Sequence, residues 1–555
     1  MSTFIGSALL AALLSCSAFA KVQTSSVERA STADSLLGTL TSKLGPVVNL
    51  GYAAYAGNST LPDVTFYGGI PYIKPPVGNL RFAPPQQLDE TPNFLLNNDD
   101  VIDARNWGPL CIQQPAVVGI GNEDCVTLNI WTPSNATSTS KLPVYVYIHG
   151  GGHYYNSAQG FPANDWVARS GGGLIAVAVQ YRLGLLGYLS SAEISKNPTS
   201  GPNNGLFDQR AALEWLQRHV AAFGGDPAKI TIGGKRLTVI IAGESSPFRA
   251  AVIESSGLDP FYTTDHAEQC FGNVTKQVGC DGSSDVVACL RKASSMYLFR
   301  SVSSWVHAEH IPTSWGRLSL PSTTNPLPAI NVPILAGHNA QDGSIFIGAP
   351  ATIVTDTDII NTILKRYPLV SLTTMDAMLV TYPPASATTP WTTQWERAMY
   401  AYMESELACW DYFIGNVSGK PAFNYRWDAP DPNILAARGA YVGAAHTAEL
   451  FYLYDGTNSG PSASVAQPVF TVFNPEQDAL ARQAVAWWSS FARTLDPNTF
   501  ALPGSPTWLP ASEGGFMVAD LGVNSTVPNS GMVLRTDDYP KRCAWWRSVG
   551  TDLRL

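Results

Sequence analysis

Residues 223–257 read FGGDPAKITIGGKRLTVIIAGESSPFRAAVIESSG, and this stretch decides the fold. A short buried strand is predicted at Lys229 to Ile232, and it runs into Gly233-Gly234. In a nucleophile elbow, G-x-S-x-G, the chain turns sharply after such a strand and presents a serine. Here Lys-Arg-Leu-Thr follows Gly234. Neither the serine nor the closing glycine stands where the pattern needs it.

Other apolar runs surround this stretch. Strands are predicted at Leu142 to His149, Leu174 to Tyr181, Ala250 to Ile253 and Val332 to Ala336. Helices are predicted at Asn204 to Phe223 and at 474–494, with more irregular helical segments at 290–320 and 355–420. Almost wholly apolar strands fit a sheet that is covered on both faces. Strands that alternate with helical segments predict an α/β fold with a large, mostly parallel central sheet flanked by helices.

Composition excludes several classes of protein. Of the 555 residues, 45% are hydrophobic and 14% charged, which is typical of a globular chain and not of a disordered one. The net charge of −9 comes without clustered Lys and Arg, so no nucleic-acid surface is indicated. We attribute the acidity to solubility.

The first twenty residues, MSTFIGSALLAALLSCSAFA, have an apolar centre and end in Ala-Phe-Ala. They predict a secretory signal peptide that is cut after Ala20. Residues 21–555 are then expected to form one domain, with no segment that spans a membrane. Secretion agrees with five N-glycosylation sequons, at Asn58, Asn135, Asn273, Asn416 and Asn524.

Seven cysteines remain after removal of Cys16. In a secreted protein they favour disulfides over metal ligation, and the odd number leaves one thiol over. His149 and His153 have the i, i+4 spacing of a zinc pair. The three glycines between them argue against the necessary helix, so no metal site is predicted.

A glycine loop, His149-Gly150-Gly151-Gly152, follows a predicted buried strand. Glycines allow backbone amides to approach one oxygen closely, as the tetrahedral intermediate of acyl transfer requires. The alternatives are a simple turn and a phosphate loop, but the G-x-x-x-x-G-K-S/T pattern is absent. His446, in a small-residue loop, could supply a general base. Asp342, just after a strand, could orient that imidazole, although most Asp-Gly pairs are simply turns.

These features together resemble the type-B carboxylesterase/lipase family, which includes the cholinesterases and fungal secreted lipases. The matching stretches are, in family order, PPVGNLRFAPP, EDCVTLNIWTP, PVYVYIHGGGH, VQYRLGLLGYL, NNGLFDQRAALEWLQRHVAAFGGDPAKITIGG, PFRAAVIESSG, PILAGHNAQDGSIF and GAYVGAAHTAELFY. They span roughly residues 45–550. The resemblance implies an α/β-hydrolase fold and hydrolysis of small-molecule carboxylic esters by Ser-His-Asp acyl transfer. It implies no cofactor, no metal and no particular oligomeric state.

The resemblance also assigns roles residue by residue. Gly151 and Gly152 match the oxyanion-hole glycines, Asp342 the acid, which in this family is more often Glu, and His446 the base. The implied disulfides are Cys111–Cys125, Cys280–Cys289 and Cys409–Cys543, which makes Cys270 the leftover thiol.

The elbow does not match. In an ungapped comparison Arg236 lies at the serine position and Thr238 at the second glycine. Ser245, in Gly-Glu-Ser-Ser-Pro, is interpreted as a decoy, because only two residues separate it from Phe248 and because Pro247 replaces a glycine. The segment is about ten residues too short for a turn and a helix of roughly three turns. Either a misassigned exon boundary or a genuine pseudoenzyme would explain this.

The expected function is therefore a secreted carboxylic-ester hydrolase that is inactive as written, because its nucleophile is absent. The alternative is a catalytically silent, cholinesterase-like binding or adhesion protein.

Overall fold

The computed structural model of the chain describes residues 40–113, 120–235, 246–257, 264–295, 298, 331–417, 419–457, 469–521, 527–534 and 539–553. Several sequence predictions lie outside these residues: those for residues 1–20, Arg236, Thr238, Ser245 and Asn524, and most of the helical segment predicted at 290–320.

The strands of the described residues form two sheets. In chain order they are β1 (Val47–Asn49), β2 (Ala54–Ala56), β3 (Asn58–Leu61), β4 (Val64–Pro71), β5 (Ile102–Asp103), β6 (Thr127–Pro133), β7 (Leu142–Ile148), β8 (Ile175–Val179), β9 (Gly225–Lys235), β10 (Ala250–Glu254), β11 (Ile334–Asn339), β12 (Ala422–Trp427), β13 (Gly515–Ala519) and β14 (Gly531–Leu534). Strands β1, β2 and β5 form a small sheet, and the other eleven form a large one in the order β14-β13-β12-β11-β10-β9-β7-β8-β6-β4-β3. Neighbours from β8 to β13 are parallel, and the strands at both ends are antiparallel. The predicted, mostly parallel sheet is confirmed.

The helices of the described ranges lie mainly between the strands. They are α1 (Asn164–Arg169), α2 (Gly184–Tyr188), α3 (Ala192–Lys196), α4 (Asn204–His219), α5 (Thr264–Gln277), α6 (Val286–Lys292), α7 (Asp356–Arg366), α8 (Leu372–Thr381), α9 (Gln394–Met403), α10 (Cys409–Val417), α11 (Pro432–Arg438), α12 (Ala448–Leu453), α13 (Pro475–Thr494), α14 (Tyr539–Ser548) and α15 (Gly550–Leu553). A π-helical stretch, Glu404–Ala408, joins α9 to α10. None of the helices in the described ranges has the length and apolarity that crossing a bilayer requires.

Strand β7 shows why this sequence gives a sheet with two covered faces. Its side chains alternate between two cores: Val144 and Val146 join the core that contains α4, while Tyr145 and Tyr147 join the core that contains α13. All four are buried. Because each buried large apolar side chain contributes about 1.5–3 kcal/mol, a strand that is apolar on both faces is stable only between two helical layers.

Strand β9 is longer than its apolar residues predict. The sequence predicts that this strand ends at Ile232, but it continues through Gly233 and Gly234 to Lys235. A Cβ on Gly233 would lie 2.0 Å from the hydroxyl of Tyr145, so the neighbouring strand occupies the space of a side chain. The glycine marks a close approach inside the sheet, where we had predicted the start of a turn.

The three implied disulfides, Cys111–Cys125, Cys280–Cys289 and Cys409–Cys543, are present in the structure. Cys270 lies in α5 and belongs to none of these three bonds. Among the sequons, Asn135 and Asn273 are exposed and Asn58 is half-buried. The side chain of Asn416 lies outside the described part of the chain.

Candidate active site

The candidate site lies where the parallel strands end. Ile148 of β7 pairs with Gly234 of β9, and Lys235 of β9 pairs with Glu254 of β10. Glu254 in turn pairs with Gly337 of β11. Because these neighbours are parallel, the segments that follow them meet at the carboxyl edge of the sheet, where open α/β sheets bind ligands.

His446 and Asp342 come together at this edge. The Nδ1 atom of His446 lies 2.6 Å from Oδ1 of Asp342, and both residues are buried. Burial opposes ionisation of Asp342, but the adjacent imidazole holds the pKa of this carboxyl well below its usual range. A carboxylate that accepts from Nδ1–H fixes the ring and its tautomer, which is the arrangement of an acid–base pair.

Two backbone segments hold this pair in register. Gln341 and Ala445 form an isolated parallel bridge, and the amide of Gln341 donates to the carbonyl of Ala444 at 3.0 Å. The side-chain oxygen of Gln341 accepts from the amide of Ala444 at 2.8 Å. The next residue on each segment is Asp342 or His446. Gln341 therefore sets their spacing, a role that no local pattern in the sequence indicated.

The glycine loop follows β7 directly. Gly151 has φ +121° and Gly152 φ +57°, conformations that side-chain-bearing residues rarely adopt. Gly151 accepts backbone hydrogen bonds from Tyr154 and Tyr155, which closes the loop on itself. Within the described residues, no group accepts a hydrogen bond from the amide of Gly151 or Gly152. Half-buried amides of this kind are suited to an oxyanion.

The histidines within the glycine motif itself have other contacts. His149 is fully buried, stacks on Tyr181 at 4.6 Å and bonds through Nδ1 to the carbonyl of Gly150. Burial lowers the pKa of His149 to about 4, so it stays neutral at neutral pH. The Nδ1 atom of His153 lies 3.1 Å from the hydroxyl of Tyr188. In the described ranges, no group of three His, Cys, Asp or Glu side chains is placed to hold a metal ion.

Lys235 lies at the candidate site, and the sequence analysis did not identify it. Its ammonium donates to Oε1 of Glu449 at 2.5 Å and to Oγ of Ser255 at 3.1 Å. The side chains of Lys235 and Glu449 are only 2% and 0% exposed. The relevant signal was that Lys235 directly follows Gly234, at the first variable position of the G-x-S-x-G pattern.

A second buried carboxyl lies beside this ion pair. Glu254 accepts from the indole of Trp488 at 3.3 Å, and its other oxygen has no hydrogen-bond partner in the described part of the chain. Burial and the neighbouring Glu449 raise the pKa of Glu254 to about 8, against the opposing effect of Lys235. At neutral pH the carboxyl of Glu254 is therefore mostly protonated.

Another group of Ser, Asp and His lies nearby but has the wrong order for nucleophilic catalysis. Ser256 donates to Asp411 at 2.5 Å, while Nδ1 of His338 lies 3.4 Å from the other oxygen of Asp411. The carboxylate stands between the hydroxyl and the imidazole. A base must instead contact the hydroxyl directly, so this arrangement does not activate Ser256.

Comparison with solved structures gives the class of protein. The fold matches the crystal structure of Aspergillus niger EstA with a TM-score of 0.78 and 25% identity, covering 92% of this chain and 99% of that one. The large, mostly parallel sheet with flanking helices is that of an α/β-hydrolase.

Sequence comparison gives the family. The sequence profile of the carboxylesterase family matches residues 45–532, so the chain belongs to this family. Secreted lipase 1 of Botryotinia fuckeliana is 26% identical over 525 residues, covering 81% of this chain and 84% of the lipase. The inactive carboxylesterase-like protein VdtD of Byssochlamys spectabilis is 26% identical over 487 residues, covering 77% and 80%. The predicted family and its enzyme class, carboxylic-ester hydrolase, are confirmed.

Proposed function

We propose that this chain is a secreted carboxylesterase-type protein that keeps the acid–base pair and the oxyanion donors of acyl transfer but lacks the nucleophile. The observation that carries the proposal is the 2.6 Å contact between His446 and Asp342 at the carboxyl edge of the sheet. A buried imidazole held by a carboxylate at this edge of the sheet is the arrangement that general acid–base catalysis uses.

Each retained group has a defined chemical task. His446 would take the proton from an attacking hydroxyl through Nε2 and return it to the leaving alcohol, while Asp342 stabilises the imidazolium. The amides of Gly151 and Gly152 would receive the negative oxygen of the tetrahedral intermediate. Each such donor lowers the barrier by roughly 3–4 kcal/mol.

The missing group is the serine. After Gly234 the next serine in the chain is Ser245, eleven residues on. Arg236, at the position of the nucleophile, has no lone pair to offer a carbonyl at physiological pH. We therefore propose that the chain as written does not hydrolyse esters, and that Ser245 does not replace the lost serine.

A fluorophosphonate probe tests this proposal, because it reacts covalently with activated serines. The secreted chain should remain unlabelled and should not hydrolyse p-nitrophenyl butyrate above the rate of its His446→Gln variant. Labelling that Ser245→Ala abolishes would overturn it. Sequencing the transcript across codons 230–248 would separately distinguish the two explanations. A transcript that encodes a Ser-Ala-Gly elbow would indicate a misassigned exon boundary, and one that lacks it would indicate a genuine pseudoenzyme.

A second function is favoured by the ion pair of Lys235 and Glu449. This contact gives the buried ammonium of Lys235 a partner at the candidate site, and a binding or adhesion protein on the same fold needs no nucleophile there. Among the relatives, the protein named as inactive carboxylesterase-like gives a precedent. Calorimetric binding of a short ester without turnover would favour this function, and turnover of that ester by the chain would exclude it.

The length of the loop closed by Cys111 and Cys125, which are 14 residues apart, supports a proposal for the class of substrate. So short a loop offers little apolar surface to a lipid interface. We propose that the site fits soluble esters better than emulsified triglyceride. In a variant whose G-x-S-x-G elbow has been restored, the rate of ester hydrolysis should not jump when the concentration of a short-chain ester passes its solubility limit. A strong jump would contradict this.

A further inference from the structure

We propose that Lys235 is a positioning residue for His446, because it closes a ring of hydrogen bonds that fixes the segments on both sides of the acid–base pair. The inference rests on the roles proposed above for His446 and Asp342. Its evidence is a set of contacts among four buried side chains.

The ring joins four separate segments. Lys235, at the end of β9, donates to Glu449 at 2.5 Å and to Ser255 at 3.1 Å. The side-chain amide of Asn339, at the end of β11, donates to the other oxygen of Glu449 at 2.7 Å and lies 3.4 Å from Ser255. Glu449 belongs to α12, and Ser255 follows β10. All four residues are buried.

Two connections lead from this ring to the acid–base pair. The backbone amide of Asn339 donates to Oδ2 of Asp342 at 3.1 Å, which leaves Oδ1 for His446. Glu449 lies three residues after His446, in the first turn of α12. The ring therefore holds the acid from the side of β11 and the base from the side of α12.

The charge of Lys235 acts on the same pair. It is the cation that balances Glu449, and it contributes to the low pKa of Asp342, after the larger effects of burial and of His446. Loss of this cation should make a positive charge on His446 more favourable. Glu254 does not take over the compensation, since its carboxyl is already protonated at neutral pH.

The test is histidine NMR on the full chain labelled with ¹³C and ¹⁵N histidine, with the His446 signal assigned from the His446→Gln variant. In Lys235→Met we expect the pKa of His446 to rise by about one pH unit. The control is Lys229→Met on the same strand. The side chain of Lys229 is 39% exposed and pairs with Asp226, so this variant should leave the pKa of His446 unchanged. An unchanged pKa in a folded Lys235→Met variant would overturn the proposal.

The double variant Lys235→Met/Glu449→Gln keeps the proposal testable if the single variant does not fold, because it removes both charges with little change of shape. There the pKa of His446 should return toward the wild-type value. The Nδ1 proton should exchange with water about tenfold faster, equivalent to about 1.4 kcal/mol of lost restraint. If the Nδ1 proton of His446 exchanges with water at the wild-type rate in the folded double variant, the proposal is overturned. Neither readout needs ester hydrolysis, so a failure here is distinct from a failure of the proposed function.

Discussion

Gly150 packs directly against Lys235. A Cβ on Gly150 would lie 2.8 Å from the Cβ of Lys235 and 3.5 Å from its Cγ. The glycine loop after β7 and the buried lysine at the end of β9 are thus one packing unit. The oxyanion donors and the ring of hydrogen bonds around Glu449 cannot shift independently, because this contact lies between them.

Gly150→Ala should therefore destabilise the fold. The added methyl group meets the rigid, buried end of β9, and overpacking of this kind costs about 1–3 kcal/mol. Urea unfolding followed by tryptophan fluorescence measures the change. The matched control is Gly272→Ala in α5, where nothing lies within 4 Å of the new Cβ. It should stabilise by about 0.5–1 kcal/mol, because alanine is the better helix former. Equal stability of the two variants would contradict the packing argument.

The sheet and the helices could be predicted from the sequence because their signals are local. The apolar run at Leu142 to His149 and the helical periodicity of 474–494 each predict an element without reference to the rest of the chain. The structure has the strand at Leu142–Ile148 and the helix at Pro475–Thr494. The exact end of β9 could not be predicted, since it depends on how Tyr145 of the neighbouring strand covers Gly233.

The residues of the candidate site likewise divide into those that local motifs predict and those that depend on contacts between distant segments. His446, Asp342 and the glycine loop were found through short motifs, although only their resemblance to a family made the assignment specific. The contact of Lys235 with Glu449 spans 214 residues. No periodicity or spacing indicates such a pair, because it arises only when the sheet brings the ends of separate strands together. The bridge between Gln341 and Ala445 was missed for the same reason.

Glu254 should make the stability depend on pH. Its pKa is about 8 in the folded chain, against an ordinary value of 4.5. Between these values the folded state holds a proton that the unfolded state has lost, so the stabilisation from this proton is lost as pH rises from about 4.5 to 8. One group contributes at most about 1.4 kcal/mol per pH unit.

Glu254→Gln should remove this contribution, since the amide does not titrate. We expect the difference in unfolding free energy between variant and wild type to move in favour of the variant from pH 5 to pH 8. Taking the difference cancels the opposite trend from His149, whose low pKa costs stability as pH falls. Urea titrations of both proteins at pH 5, 6, 7 and 8 measure this difference in unfolding free energy. A difference that is independent of pH would show that Glu254 is ionised in the folded chain.

Two of the disulfides should differ in their contribution to stability because they close loops of different length. Cys409–Cys543 closes 134 residues and ties α10 to α14, whereas Cys280–Cys289 closes only 9. In the chain-entropy account a longer closed loop restricts the unfolded chain more. Replacing both cysteines by alanine should cost about 4–5 kcal/mol for the long loop and about 2–3 kcal/mol for the short one. Midpoints of urea unfolding without reductant measure both, and a larger loss for the short loop would contradict this account.

Restoring the elbow should restore ester hydrolysis. The change keeps Lys235 and replaces residues 236–247 by a segment about ten residues longer that begins Ser-Ala-Gly and continues as a helix of roughly three turns. Lys235 is kept because it balances Glu449 and is the proposed positioning residue for His446. If His446, Asp342 and the glycine amides are already in place, the new serine needs only to be presented to them.

The restored chain should then be labelled by the fluorophosphonate and hydrolyse p-nitrophenyl butyrate. His446→Gln in that background should lower kcat by about 10²–10⁴-fold, the usual contribution of general acid–base catalysis. The same segment with Ala in place of the new serine is the control and should be inert. A restored chain that folds, as judged by circular dichroism, but neither binds the probe nor responds to His446→Gln would show that the pair of His446 and Asp342 does not face the elbow.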